Sequence, residues 1–85
     1  MEEEVGRISH FFSRINVGVV ELTKGGLKVG DTIHVKGHTT DFYQKIESMQ
    51  MEHAPVQSAG VGESFGLEVD SQVRQHDLVY RHTED

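Results

Sequence analysis

The amino-acid sequence predicts an all-β domain, either a sandwich or a barrel, on two observations. Glycines and other turn residues divide the chain into short segments, and no segment repeats apolar residues at i, i+3, i+4 and i+7 as an amphipathic helix would. The segments between the turns are rich in Val, Ile, Phe and Thr, which is typical of strands in small all-β folds. The strands expected from this pattern span residues 5–12, 17–23, 32–36, 42–51, 64–69 and 77–81.

The segment 25–37, GGLKVGDTIHVKG, leads from the second expected strand into the third. We expect Gly25 and Gly26 to close a hairpin, because glycine adopts positive φ without strain. A further turn is expected at Gly30. In the strand that follows, alternation directs the apolar side chains inward and leaves His34 facing solvent.

The fourth expected strand does not alternate regularly. Ile46 and Met49 both have the character of core residues, yet they are three positions apart and would face opposite sides of a flat strand. A bulge near Glu47 and Ser48 would turn both side chains inward and bend the strand. Without a bulge, one of the two faces solvent.

The 85 residues are expected to form one domain, with a barrel over about residues 5–81 and polar, mobile tails at 1–4 and 82–85. The chain has no cysteine, which excludes disulfides, thiolate metal sites and thiol nucleophiles. No apolar run approaches the roughly 20 residues of a membrane-spanning helix, and the acidic start differs from a secretory signal. We therefore expect a soluble cytoplasmic protein with no membrane partner.

The charge is unevenly distributed. The formal net charge is −6, which disfavours non-specific binding to nucleic acid. Residues 1–45 nevertheless carry six Lys and Arg against six acids, whereas residues 46–85 carry two against eight. One face of the N-terminal half could therefore meet a phosphate backbone, although the field of the whole chain opposes it.

The sequence contains no catalytic or nucleotide-binding motif. It has no GxxxxGK[ST] phosphate loop, so a nucleotide ligand is not expected, and no GxSxG motif marks a serine nucleophile. His34 and His38 are four residues apart, but on a strand this spacing is about 13 Å, too far for one zinc ion. We expect no metal, no cofactor and no enzymatic activity, and we expect the histidines to be exposed to solvent.

The loop at residues 36–42 is the strongest candidate for a binding site from side-chain chemistry. It combines a cation, an imidazole, hydroxyls and an aromatic ring, which are groups that recognise phosphates or bases. The alternative is an ordinary turn in which Thr and Asp cap local backbone amides. The candidate residues of this loop are Lys36, His38, Thr39, Thr40, Asp41 and Phe42.

Four motifs in order give the chain a family resemblance. GLKVGD at 26–31, IHVKG at 33–37, IESM at 46–49 and AGVGESFGL at 59–67 together resemble the second domain of elongation factor Tu and related translational GTPases. The resemblance runs from about residue 5 to residue 80 and implies a closed six-stranded, antiparallel-type β-barrel. The chain is also similar to small stand-alone elongation-factor-like proteins. A further likeness, at residues 34–41 and 47–50, is to the barrel appended to collagenase-like peptidase-family proteins.

The resemblance to the elongation factor also implies candidate contact positions. In that factor the barrel helps to hold the aminoacylated 3′ end of tRNA. Ser48 stands where the family has an acidic residue, Gln50 where it has a histidine or aromatic residue, and Ser64 where it has an asparagine. The resemblance therefore carries over the barrel, but not the ligand.

Two functions remain open from the sequence. The first is a non-catalytic, RNA- or ribosome-associated module that binds tRNA or rRNA through the 36–42 loop and the strand at 48–50. The alternative is a protein–protein adaptor barrel that acts with a collagenase-like peptidase-family protein or with a translation-related protein. The resemblance ranks RNA first, whereas the net charge alone would reverse that order.

Overall fold

The computed structural model describes residues 1–84, which form strands joined by turns and contain no helix. This confirms the all-β prediction, and no helix in the described part of the chain could span a membrane. The strands are β1 (Glu2–Phe12), β2 (Val17–Leu22), β3 (Leu27–Lys28), β4 (Thr32–Lys36), β5 (Asp41–Lys45), β6 (Met49–Met51), β7 (Ala54–Val56), β8 (Ser58–Ala59), β9 (Ser64–Glu68) and β10 (Leu78–His82).

Eight of these strands form one antiparallel sheet. Its order is β5-β4-β10-β1-β2-β9-β6-β7, and β3 and β8 pair separately. The predicted closed six-stranded barrel is not supported, because β5 and β7 end the order and are not paired with each other. The chain itself bridges most of this opening, since only three residues connect β5 at one end of the order to β6 near the other.

The expected strand 42–51 is two strands, with the interruption where a bulge was expected. Residues 46–48 are unpaired between β5 and β6, and Ile46 and Met49 are both buried, with 0% and 1% of their surface exposed. The Ile46 N–H donates to the Asp31 carbonyl at 2.8 Å, and the Gly30 N–H donates to the Ile46 carbonyl at 2.9 Å. The break is therefore hydrogen-bonded to the turn at Gly30. The φ of Gly30 is +102°, a conformation that favours glycine.

The predicted hairpin at Gly25 and Gly26 is wrong. β2 pairs with β1 and β9, whereas β3 pairs with β8. The two glycines instead allow close packing: a Cβ on Gly25 would lie 2.9 Å from Val5 Cγ1, and one on Gly26 would lie 2.9 Å from the Ala59 carbonyl oxygen.

The two ends of the described chain lie side by side. β1 begins at Glu2, so residues 2–4, expected as a tail, pair with β10. The Met1 amino group donates to the Thr83 carbonyl at 2.7 Å, and the Thr83 N–H donates to the Met1 carbonyl at 2.8 Å. Of the other expected tail, His82 belongs to β10, and Asp85 lies outside the described residues.

The core lies between the curled sheet and the β3–β8 pair. Its residues are apolar and come from the inward positions of the strands and from the segment after β9. They are Val5, Ile8, Val20, Leu22, Leu27, Ile33, Val35, Ile46, Met49, Ala59, Phe65, Leu67, Val69, Val73 and Val79.

Candidate functional site

The predicted 36–42 loop is a tight turn between β4 and β5. The Gly37 N–H donates to the Thr40 carbonyl at 2.7 Å. Lys36, His38 and Thr39 are exposed, whereas Thr40 is buried with 5% of its surface exposed. The loop thus offers one cation, one imidazole and one hydroxyl to solvent.

The last two residues of this loop are engaged elsewhere. Asp41 is the first residue of β5, and its Oδ1 lies 2.5 Å from His34 Nε2. Phe42 is partly buried and packs against the core. The Asp41 carboxylate is thus tied to His34, although its side chain stays 63% exposed, and the Phe42 ring contributes to packing.

The three positions taken from the elongation-factor resemblance lie away from this loop. Ser48 is exposed in the break between β5 and β6. Gln50, on β6, is paired with Gly66 on β9, and Ser64 is exposed at the start of β9. Gln50 and Ser64 thus lie on neighbouring strands, whereas the 36–42 loop lies at the β4–β5 end of the sheet order.

A buried histidine stands at the centre of a polar cluster on the outward side of the sheet. His34 is 7% exposed; its Nδ1 lies 2.8 Å from Glu2 Oε1, and its Nε2 lies 2.5 Å from Asp41 Oδ1. His82 Nδ1 lies 3.0 Å from the second oxygen of the same glutamate, Glu2 Oε2. Both nitrogens of His34 can therefore donate to carboxylates, which requires the charged imidazolium.

The ionisation of these groups follows from the contacts. Burial lowers the pKa of His34, but the hydrogen bonds to Glu2 and Asp41 outweigh it, so that the pKa is raised above 6.5. The hydrogen bond from His34 in turn lowers the pKa of Glu2 to about 2. The Glu2 carboxylate also raises the pKa of the Tyr43 hydroxyl by accepting its hydrogen bond.

Two tyrosine rings pack around the histidines of this cluster. The Tyr43 ring stacks on His34 with centroids 4.1 Å apart and planes inclined by 13°. His82 meets the Tyr43 ring edge-on at 5.2 Å, and Tyr80 lies 6.0 Å from His34. Tyr43 remains 53% exposed. We call these four residues, His34, Tyr43, Tyr80 and His82, the aromatic patch.

The prediction that His34 faces solvent is wrong, although its outward direction is right. Register explains the burial, because His34 lies opposite Tyr43 on β5 and opposite Tyr80 on β10. The alternation in each strand places all three side chains outward, but the sequence does not reveal that β10 pairs with β4. Glu2 was missed because it was assigned to a mobile tail.

An apolar groove of about 270 Å³ lies on the outward side of β1, β2, β9 and β6. Phe12 and Ile15 line the groove with 52% and 62% of their surfaces exposed. Gly66 also lines it and has no side chain to fill it. Gln50 is the one residue of the predicted site that lines it. We call it the apolar groove; its lining residues are Phe12, Ile15, Val17, Val19, Gln50, Glu52, His53 and Gly66.

Metal ligation finds no support in the geometry. Within residues 1–84, no three His, Asp or Glu side chains are arranged to hold an ion. His34 is engaged by two carboxylates, and His38 is exposed in the turn.

The sequence of the chain is similar to segments of proteins named as a protease and as a collagenase. It is 38% identical over 78 residues to an uncharacterised protease of Methanocaldococcus jannaschii and 36% identical over 78 residues to a collagenase of Porphyromonas gingivalis. Each match covers 91% of this chain but only 19% and 22% of the respective relative. The chain is thus homologous to a segment about one-fifth as long as these proteins. No protein-family model matches it.

The fold is that of a known C-terminal domain. The crystal structure of the C-terminal domain of a Geobacillus thermoleovorans protein described as a U32 peptidase superposes with a TM-score of 0.87, covering 95% of this chain and 93% of that domain at 15% identity. Its selenomethionine variant gives a TM-score of 0.84 at 16% identity. Nearly all of the chain therefore has the fold of that domain.

These matches correct the functional interpretation of the motifs. The sequence similarity is to a segment of proteins named as a protease and as a collagenase, and the fold matches the C-terminal domain of a protein described as a U32 peptidase, so the interpretation as a translation elongation-factor-like, RNA-binding protein is wrong. That interpretation was based on the motifs at 26–31, 33–37, 46–49 and 59–67. In the structure, Gly30 has a positive φ beside the break at 46–48, and Gly26 allows the close approach of β8. These two glycines are therefore explained by backbone geometry.

Proposed function

We propose that this chain is a non-catalytic protein-binding module that acts with a U32-type peptidase. The observation that supports the proposal is the extent of the sequence matches. Nearly all of this chain aligns with about one-fifth of the length of proteins named as a protease and as collagenases. Four-fifths of each relative has no counterpart here. A chain that corresponds to one domain of such a protein is suited to act beside the remainder, rather than to replace it.

The interior and the polar cluster favour a role without catalysis. The core of the described chain is built from apolar side chains, which supply no acid, base or nucleophile for substrate chemistry. His34 is the buried titratable group with a raised pKa, but carboxylates occupy both of its nitrogens. A general base needs a free nitrogen within reach of a substrate proton.

Two outward surfaces have the composition of protein interfaces. The aromatic patch presents Tyr43, and the apolar groove presents Phe12 and Ile15, each more than half exposed. Aromatic residues are enriched at the energetic centres of protein–protein interfaces. The net charge of −6 opposes a polyanionic ligand and is compatible with a protein partner.

The test is a titration of the purified chain against a purified U32-type peptidase encoded in the organism that supplies the chain. We expect a saturable complex of one chain per peptidase protomer by calorimetry. We also expect no cleavage of gelatin or of a peptide library by the chain alone. The absence of binding, or of any such peptidase from that organism, would contradict the proposal, as would cleavage by the chain alone.

A further inference from the structure

The two ends of the described fold indicate where the rest of a longer relative would be attached. Met1 and Thr83 exchange two backbone hydrogen bonds, of 2.7 and 2.8 Å, so the two ends of the described fold share one corner. In the relatives, the matched segment belongs to a polypeptide about five times as long. Because the matches cover 91% of this chain, the remaining polypeptide of a relative with the same fold would leave near this corner.

The aromatic patch lies at the same corner. Glu2, next to Met1, accepts hydrogen bonds from His34 and His82, and His82 precedes Thr83. The rings are held by one another and by the carboxylates, so little conformational entropy remains to be lost on binding. The patch is therefore preorganised next to the point where a relative's remaining mass begins.

The apolar groove lies at the far end of the molecule. β1 runs for 11 residues from Glu2 at the shared corner to Phe12 at the groove. At the usual rise per residue, this strand is at most about 30 Å long, and the register shifts after Glu4 and Ile8 reduce the span. That length is close to the longest dimension of the fold, 33 Å. A body attached at the corner would meet the patch before it could reach the groove.

The rim of the patch has the mixed polarity expected around such a contact. On β5, Asp41 and Lys45 flank Tyr43 on the outward side, and on β4, Lys36 lies opposite Asp41. Interfaces commonly combine an aromatic centre with a polar, solvent-accessible rim. The rim carries both signs of charge, so it neither attracts polyanions nor requires a strongly basic partner.

We propose that the aromatic patch is the surface through which this chain docks on the body of a U32-type peptidase. The proposal rests on the function proposed above and adds the site. Tyr43 is the expected centre of the contact because it is the most exposed ring of the patch and stacks on a rigid support. The apolar groove stays free in the complex.

A matched pair of variants tests the docking site. Tyr43 and Phe12 are 53% and 52% exposed, so Tyr43→Ser and Phe12→Ser remove similar rings of similar exposure from the two surfaces. Binding to the purified U32-type peptidase is measured by biolayer interferometry after thermal melting confirms that each variant is folded. We expect Tyr43→Ser to weaken binding about tenfold or more. Phe12→Ser should bind within about twofold of the unmodified chain.

Each other outcome has a defined meaning. Loss of binding by Phe12→Ser with Tyr43→Ser unaffected, no change in either variant, or an equal loss in both overturns the patch as the docking site and leaves the proposed function standing. No binding by the unmodified chain overturns both. If Tyr43→Ser does not fold, Lys45→Glu replaces it, because Lys45 is an exposed rim residue. That charge reversal should change the association rate several-fold, and an unchanged rate would refute the site.

Discussion

Gln44 provides a sharp test of how the sheet is held together. It is 8% exposed on β5, at one end of the sheet order. Its Nε2 donates to the Glu68 carbonyl at 3.0 Å, and its Oε1 accepts from the Asp70 N–H at 2.8 Å. This one amide side chain therefore connects β5 to the end of β9, where backbone pairing leaves the sheet open.

Gln44→Met keeps the length of the side chain and removes both hydrogen bonds. Each neutral bond contributes about 0.5–1.5 kcal/mol. Because Glu68 and Asp70 are exposed and can be hydrated, we expect a loss near the lower end, about 1–2 kcal/mol. For a domain of this size, that corresponds to a melting temperature lower by about 5–15 °C.

The assay is urea denaturation followed by circular dichroism, with Gln50→Met as the control. Gln50 is an exposed glutamine on β6 with no such bridge, so its substitution should change stability by less than about 0.5 kcal/mol. The slope with denaturant should stay the same in both variants, so that the midpoints are comparable. Equal midpoints for Gln44→Met and Gln50→Met would refute the bridge as a stabilising element.

Three other predictions concern the polar cluster, the bulged strand and the core. Because the pKa of His34 is raised, its contribution to stability is complete below about pH 6.5 and is lost as the pH rises. Because the pKa of Glu2 is lowered, its contribution is present above pH 4.5 and is lost towards pH 2. Denaturation midpoints should therefore be highest between pH 4.5 and 6.5. His34→Phe should remove the alkaline decline, and an unchanged profile would contradict the ion pairs. Gly6→Ala would place a Cβ 2.1 Å from the Glu21 carbonyl oxygen. We therefore expect thermal unfolding to show a stability lower by about 3 kcal/mol. A variant as stable as the unmodified chain would show that the register at the bulge is different. Phe65→Ala should lower the free energy of unfolding by about 3–5 kcal/mol. That is a large part of the roughly 4–13 kcal/mol expected for a domain of this length. A cooperative transition at the original temperature would contradict the place of Phe65 in the core.

The sequence predicts the parts of the fold that depend on local pattern. The alternation around Ile33 and Val35 identifies a half-buried strand, and the spacing of Ile46 and Met49 identifies the interruption between β5 and β6. Both signals are local, because the side-chain period of a strand is fixed by the backbone. The turn at Gly30 is also predictable locally, because its positive φ favours glycine.

Long-range pairing is what the sequence does not reveal. From the sequence, Glu2 is assigned to a polar tail, because its pairing with His82 is not apparent. Gly25 is assigned to a hairpin turn, because its contact with Val5 is not apparent. His34 reads as an exposed histidine because the rings that cover it come from two other strands, β5 and β10. A candidate site assembled from three strands is therefore visible only in three dimensions.

Amide hydrogen exchange of the chain, alone and in complex with the U32-type peptidase, tests the central claim most directly. The account predicts added protection on binding in β4, β5 and β10, together with unchanged exchange around Phe12 and Ile15 at the far end of the fold. Protection centred on the β1–β2 turn, or no protection anywhere at saturating peptidase, would contradict it.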